Sequence, residues 1–296
     1  MDSITLKALA KINLTLDVLR RREDGYHELR MVMQTLQLYD RLIISRVKSP
    51  GIRIVTNMYH LPTDENNLIH KAARLLMDEF GIKDGIVVDL DKRIPMAAGM
   101  AGGSADAAAA LVGVNRLFGL GLSKRQLMER GVQIGADVPY CVMRGTVLAE
   151  GIGEKLTPLA PMVDCPVLIA KPRESISTKF VYQNLQLDEQ TVHPDVDAMI
   201  ADLAAGDLRA IARDMGNVLE TVSIGHLPVI GEIKERMLEL GALGALMSGS
   251  GPTVFGLFED RETCVRAKEE LWKSGLARNV YVTGVYNVNH RLFREM

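Results

Sequence analysis

At 296 residues the chain suits about two domains of ordinary size. With 47% hydrophobic and 24% charged residues it can bury a true core, which excludes disorder, collagen-like repeats and a disulfide-stapled mini-protein. A net charge of −2 provides no basic field for nucleic acid or an anionic membrane, so any phosphate must be held by local chemistry. The three cysteines, Cys141, Cys165 and Cys264, lie far apart without a C-x-x-C pair, and read as buried free thiols. No basic and apolar leader opens the chain, and no apolar run nears the ~18 residues of a membrane span. The expectation is a cytoplasmic protein with neither nucleic-acid nor membrane partners; oligomeric state is left open.

In chain order, Ile4, Leu6, Ala8, Ala10, Ile12, Leu14, Leu16 and Val18 alternate, and predict one apolar face of a strand or bent strand pair, with Lys7, Lys11, Asn13, Thr15 and Asp17 opposite. A polar turn from Arg20 to Gly25 leads to a second alternating stretch, Leu29 to Leu38. Further strands are expected over 41–46 and 52–56. Asn67 to Phe80 has helical spacing and Gly81 stops it. A strand over 86–90 runs into a small-residue loop, 96–103, and an alanine-rich helix is expected to begin at Ser104. Ser123 caps the next helix. A strand over 147–150 precedes a segment with Pro158, Pro161 and Pro166, where a domain boundary is placed, giving domains of 1–160 and 161–296.

Beyond it come a strand over 167–171, several helices, a helix opened by Pro228, and a Gly249-Ser250-Gly251 turn between two strands. A helix over 261–274, with Trp272 packed on its face, and a strand over 280–288 finish the chain. Strand, turn, strand, helix, strand is half of a ferredoxin-like layer, so the fold class is α+β. His60, His70, His193, His226 and His290 show no metal spacing and read as surface or core residues.

The chemistry concentrates in Pro95-Met96-Ala97-Ala98-Gly99-Met100-Ala101-Gly102-Gly103-Ser104-Ala105. Gly99, Gly102 and Gly103 let backbone approach a ligand closely, and the helix that follows offers unpaired N–H groups and the positive end of its dipole to an anion. The plainer reading is a tight strand-to-helix turn with Asp106 satisfying the dipole. No G-x-x-x-x-G-K-[ST] occurs. The G-x-G pairs at Gly119, Gly151 and Gly249 have Lys124, Leu156 and Val254 where a dinucleotide fingerprint needs its third glycine.

This loop resembles the ATP-binding motif of the GHMP kinases, small-molecule kinases such as galactokinase, homoserine kinase and mevalonate kinase. The strand Ala10-Lys11-Ile12-Asn13-Leu14 and the late Met247-Ser248-Gly249-Ser250-Gly251-Pro252 stand where that family has its other blocks. Asp24-Gly25-Tyr26-His27-Glu28-Leu29 and Gly135-Ala136-Asp137-Val138-Pro139 resemble the branch whose acceptor is a cytidine-diphosphate-linked methylerythritol. The likeness runs from Leu6 to Phe258. Ala105 departs from it, standing where the family often has a second serine. The resemblance implies a two-domain GHMP kinase fold, with an N-terminal nucleotide-binding domain like ribosomal protein S5 and a ferredoxin-like C-terminal domain. ATP and Mg²⁺ are the implied cofactors, and phosphorylation of the acceptor's 2-hydroxyl is the implied reaction.

It also implies roles. Asp137 is the expected general base, assisted by Lys11; a turn aspartate and a solvated lysine are the plain alternatives. Asn13 is an expected donor to substrate or to Asp137. Tyr26 offers a stacking face and His27 a hydrogen bond to cytosine, with Tyr182 on the other side of the base. Residues 95–105 would carry the nucleotide. Asn67 and Lys92 read equally well as nucleotide contacts or as a helix cap and a solvated lysine. Gly249 and Gly251 shape a hairpin and could bring donors to the substrate phosphates, and Ser104 is the one expected metal ligand. Rival readings are another kinase of the same group, acting on homoserine or mevalonate, and a non-catalytic nucleotide sensor or RNA-binding protein.

Overall fold

The computed structural model describes residues 2–288, and His290 lies outside the described residues. The opening alternation forms β1 (Ser3–Arg21) and β2 (His27–Val47), followed by β3 (Ile52–Thr56). β2 is a single strand where two were expected, because β1 holds the intervening residues extended through the pairs Leu9↔Tyr39 and Ala8↔Asp40. Helix α1 (Leu68–Glu79) buries Ile69, Ala72, Ala73, Leu76 and Met77. Then come β4 (Gly85–Asp91), α2 (Gly102–Leu117), α3 (Lys124–Gly131), α4 (Val138–Met143), β5 (Thr146–Gly151) and β6 (Lys155–Pro158). Ser123 caps α3 in a reciprocal capping box with Gln126, as expected. The proline-containing segment carries β6, which pairs back onto β5.

The second half runs β7 (Pro166–Lys171), α5 (Thr178–Asn184), α6 (Val196–Ala205), α7 (Leu208–Arg213), β8 (Gly216–Asn217), α8 (Glu220–His226), α9 (Val229–Glu239), β9 (Gly244–Met247), β10 (Val254–Leu257), α10 (Arg261–Lys273) and β11 (Asn279–Gly284). Its sheet has the order β11-β7-β10-β9, antiparallel throughout, which is the ferredoxin-like arrangement expected. The last strand stops at Gly284, short of residue 288, and Val285 instead bridges to Leu36 of β2. The larger sheet has the path β3-β4-β2-β1-β8, with β5 on β2 and β6 on β5. The second half therefore returns a strand, β8, to lie parallel beside β1 at Thr15 and Leu16.

The apolar stripe of β1 does not line one core. Leu6, Ala8, Leu16 and Val18 pack in one cluster with α1 and α2, whereas Ala10, Ile12 and Leu14 pack in another with β7 and β10 residues. Pairing between β1 and β2 is irregular at Leu9/Lys11, Asn13/Thr15 and Val18/Arg20, and such irregularities exchange the faces of a strand. This exchange turns Lys11 and Asn13 toward the face that α2 covers, where a regular strand would put apolar residues. Trp272, expected to pack, is 65% exposed; the buried face of α10 is Cys264, Ala267 and Leu271, and the next residue points about 100° away. All three cysteines are buried and free. Among the described residues no helix is long and apolar enough to cross a membrane.

Candidate active site

One cleft of about 1600 Å³ gathers most of the singled-out residues, including Lys11, Asn13, Tyr26, His27, Asn67, Lys92, Ser104, Asp137, Tyr182 and Gly249. Of the loop, Pro95–Gly99 and Ala101–Ser104 line it, whereas Met100 and Ala105 are buried in the core; Gly251, in the later turn, is buried and does not line the cleft.

The loop owes its shape to left-handed backbone at Ala97 (φ 48°), Gly99 (φ 70°) and Ala101 (φ 54°). Two of these are non-glycine residues in a region that L-residues rarely adopt, a strain typical of functional loops. Lys11 N–H donates to the Met100 carbonyl and ties the loop to β1. Helix α2 begins at Gly102, two residues before the expected Ser104, because Ala101 in its left-handed turn serves as the N-cap without any side-chain hydrogen bond. The first N–H groups of α2 are thereby left without a side-chain partner and face the cleft, which suits phosphate. Ser104 lies in the first turn, its hydroxyl close to Gly135 and so on the side of Asp137.

Asp137 follows α3 and is the N-cap residue of α4, half-buried, with no capping hydrogen bond from its side chain. Its carboxylate is thus left for the cleft it lines. Helix α4 is held by Tyr140, fully buried, whose hydroxyl donates to the Gly145 carbonyl at 2.9 Å and is hydrogen-bonded with Thr35 Oγ1 at 2.8 Å. Lys11 is buried rather than solvated, and its ammonium donates to Asn13 Oδ1 at 2.7 Å. It makes no ion pair with Asp137 in this structure, although both charges act on Cys141. Burial pushes that thiol well up, Asp137 pushes the same way and Lys11 opposes.

At the other end, the His27 and Tyr182 rings lie 5.0 Å apart at 34°. Burial, then Arg21, lowers the pKa of His27, which favours the neutral ring. Burial, then the charge of Asp137, holds the Tyr182 phenol protonated, so the carboxylate is felt at the aromatic end as well. Tyr26 is 62% exposed at the rim.

Asn67 is the cap of α1, accepting from Ile69 N–H at 2.8 Å and donating to the Pro62 carbonyl at 2.6 Å. Lys92 is not a solvated lysine. It is buried between Asp40 and Asp106, 2.7 Å from the latter, while Asp40 also accepts from the Arg93 and Ile94 N–H groups. Burial works to lower the Lys92 pKa, but Asp106 and Asp40 more than offset it. Burial pushes the Asp106 carboxyl up to about 8. This triad and the Tyr140 contacts went unseen in the sequence because residues 40, 92 and 106, like 35, 140 and 145, have no periodic relation; only the sheet and α2 bring them together. Among the described residues no cluster of three or more His, Cys, Asp or Glu could hold a metal ion. The Ser104 hydroxyl, on the Asp137 side of the helix start, fits one ligand of an ion carried mostly by phosphate oxygens.

Residues 67–145 match the family model of the GHMP kinases N terminal domain, and residues 199–276 that of GHMP kinases C terminal. The chain is 55% identical over 286 residues, 97% of its length and 99% of its relative's, to the 4-diphosphocytidyl-2-C-methyl-D-erythritol kinase of Lachnospira eligens. To that of Caldicellulosiruptor saccharolyticus it is 48% identical over 90% of its length and 92% of the relative's. A crystal structure of 4-(cytidine 5′-diphospho)-2C-methyl-D-erythritol kinase superposes with a TM-score of 0.83 at 33% identity, covering 96% of this chain and all of that one. Mevalonate kinase from L. major, at 17% identity and a TM-score of 0.74 over 97% of each chain, shares the fold. The chain is an ATP-dependent kinase of the GHMP family and belongs there with the 4-diphosphocytidyl-2-C-methyl-D-erythritol kinases.

Proposed function

We propose that the chain transfers the γ-phosphoryl group of ATP to the 2-hydroxyl of 4-diphosphocytidyl-2-C-methyl-D-erythritol, a step in non-mevalonate isoprenoid precursor biosynthesis carried out in the cytoplasm. The observation that carries this reading is the placement of Lys11 and Asp137 in one cleft, between a backbone-built phosphate loop and an aromatic end formed by Tyr26, His27 and Tyr182. The domain division at residues 160/161 would put the nucleotide on the first part and let the second help form the acceptor's share of the cleft.

Asp137 takes the proton of the acceptor hydroxyl as the phosphoryl group arrives, and its position at a helix start clamped by Tyr140 fixes the direction of that transfer. Lys11 lowers the cost of negative charge on the oxygen and on the group in flight, and Asn13 aims the ammonium through its 2.7 Å bond. The loop of residues 95–105 cradles the phosphates with main-chain donors, and Asn67 and Lys92 help position the nucleotide. Gly249 and Gly251 shape the turn that approaches the substrate phosphates. Mg²⁺, held by Ser104 and the phosphates, would supply charge neutralisation of the triphosphate. His27, kept neutral, hydrogen-bonds the cytosine edge, and the two tyrosines stack on its faces. Catalysis is then positioning and electrostatics, with no covalent enzyme intermediate.

Incubation with labelled ATP and the cytidylated diol, beside homoserine and mevalonate, tests the assignment. Label is expected on the cytidylated diol alone; preferential labelling of either other alcohol would reassign the acceptor. The exposed Tyr26 and the ring pair at His27 favour the nucleoside-bearing acceptor over those small alcohols.

A further inference from the structure

The phosphate loop is not held by its own half of the molecule alone. Ser248 Oγ donates to the Gly99 carbonyl at 2.9 Å. The two backbones are in such close contact that a Cβ on Gly99 would lie 1.9 Å from the Ser248 carbonyl oxygen. Any shift of the 248–251 turn therefore displaces Gly99.

Asn217 governs that turn. Its Nδ2 donates to the carbonyls of Met247 and Gly249, both at 2.8 Å, and so clamps the chain on either side of Ser248. Its Oδ1 accepts from Leu219 N–H at 3.0 Å, which leaves the amide one way round. The residue is buried, and its strand β8 pairs with β1 at Thr15 and Leu16, just beyond Asn13. One amide thus lies between the strand that carries Lys11 and Asn13 and the turn that presses on the phosphate loop. The geometry points to Asn217 as a positioning residue that fixes the phosphate loop against the strand bearing Lys11, acting through Ser248 and Gly99. An offset of about 1 Å between reacting groups can lower turnover ~10²-fold, so such a link matters even though Asn217 touches neither substrate.

This inference rests on the kinase reading of the cleft. It predicts that Asn217→Ala and Ser248→Ala each lower kcat about tenfold and weaken ATP binding several-fold, with a smaller rise in the KM for the cytidylated acceptor. Because the two residues act in series, the double variant should be no worse than either single one. Asn217→Asp, which keeps the shape but sets a carboxylate against two carbonyls, should be worse than Asn217→Ala in kcat. The cycle is measured in steady-state kinetics and, without any acceptor, by calorimetric titration with ATP; melting temperatures are recorded beside both. A merely structural role would make kcat follow the melting temperature and leave the two substitutions multiplicative, and either result overturns the link. Wild-type protein that binds ATP but does not phosphorylate the diol would refute the acceptor reading instead, and the cycle would still be read on ATP affinity.

Discussion

The two ends of the cleft are built differently. The end proposed for the nucleotide is made of backbone: left-handed turns at residues 97, 99 and 101, the open start of α2, and the buried Asp40–Lys92–Asp106 cluster behind it. The end proposed for the acceptor is made of side chains, with Tyr26 largely exposed and, of these three rings, His27 and Tyr182 in contact. Main-chain donors are fixed by the fold before a ligand arrives, whereas side chains at a rim are finished by the ligand they hold. Asp137 and Lys11 sit where the two constructions meet.

The largest effect should come from that junction. Asp137→Asn is expected to lower kcat by roughly 10²–10⁴-fold while both ends still bind; near-normal turnover in single-turnover assays would remove the aspartate from proton transfer. At the nucleotide end, Gly99→Ala puts a methyl group into the Ser248 carbonyl and strains a φ of 70°. ATP affinity by calorimetry should fall at least about tenfold with acceptor affinity retained, since the loop must move. Equal loss at both ends would erase the contrast between them.

The opposite pattern is expected for Tyr182→Ala and Tyr26→Ala. Loss of a base-stacking face costs about 1–3 kcal/mol, read as a raised KM for the cytidylated acceptor at unchanged ATP affinity. On turnover and ligand affinity the smallest effect is expected from the triad, whose consequence is for stability. Since burial raises the Asp106 pKa to about 8, the native state keeps a proton that the unfolded chain releases near the ordinary carboxylate value. Stability therefore falls as pH rises from about 4 to about 8. Asp106→Asn should flatten that slope in melting temperatures taken between pH 5 and 8, and an unchanged slope would show that Asp106 is ionised throughout.

The tight glycine-rich loop was legible because glycine spacing is local: Gly99, Gly102 and Gly103 announce close approach of backbone whatever surrounds them. The caps at Asn67 and Ser123 were legible for the same reason. By contrast, the apolar stripe of β1 gave the strand but not its division between two cores, because pairing irregularities depend on β2. Trp272 misled because helical period alone places a residue on a face without saying which face is covered.

What the amino-acid order determined by itself was therefore what neighbours along the chain can settle: element types, turn chemistry, caps, and the ferredoxin-like succession of the second half. Tertiary structure alone decided what joins distant positions. It placed Lys92 between Asp40 and Asp106, Tyr140 beneath Thr35, Asn217 under the turn that presses on Gly99, and Lys11 in the same cleft as Asp137. Periodicity reports on separations of a few residues, whereas these contacts are set by strand register and helix packing across the whole molecule.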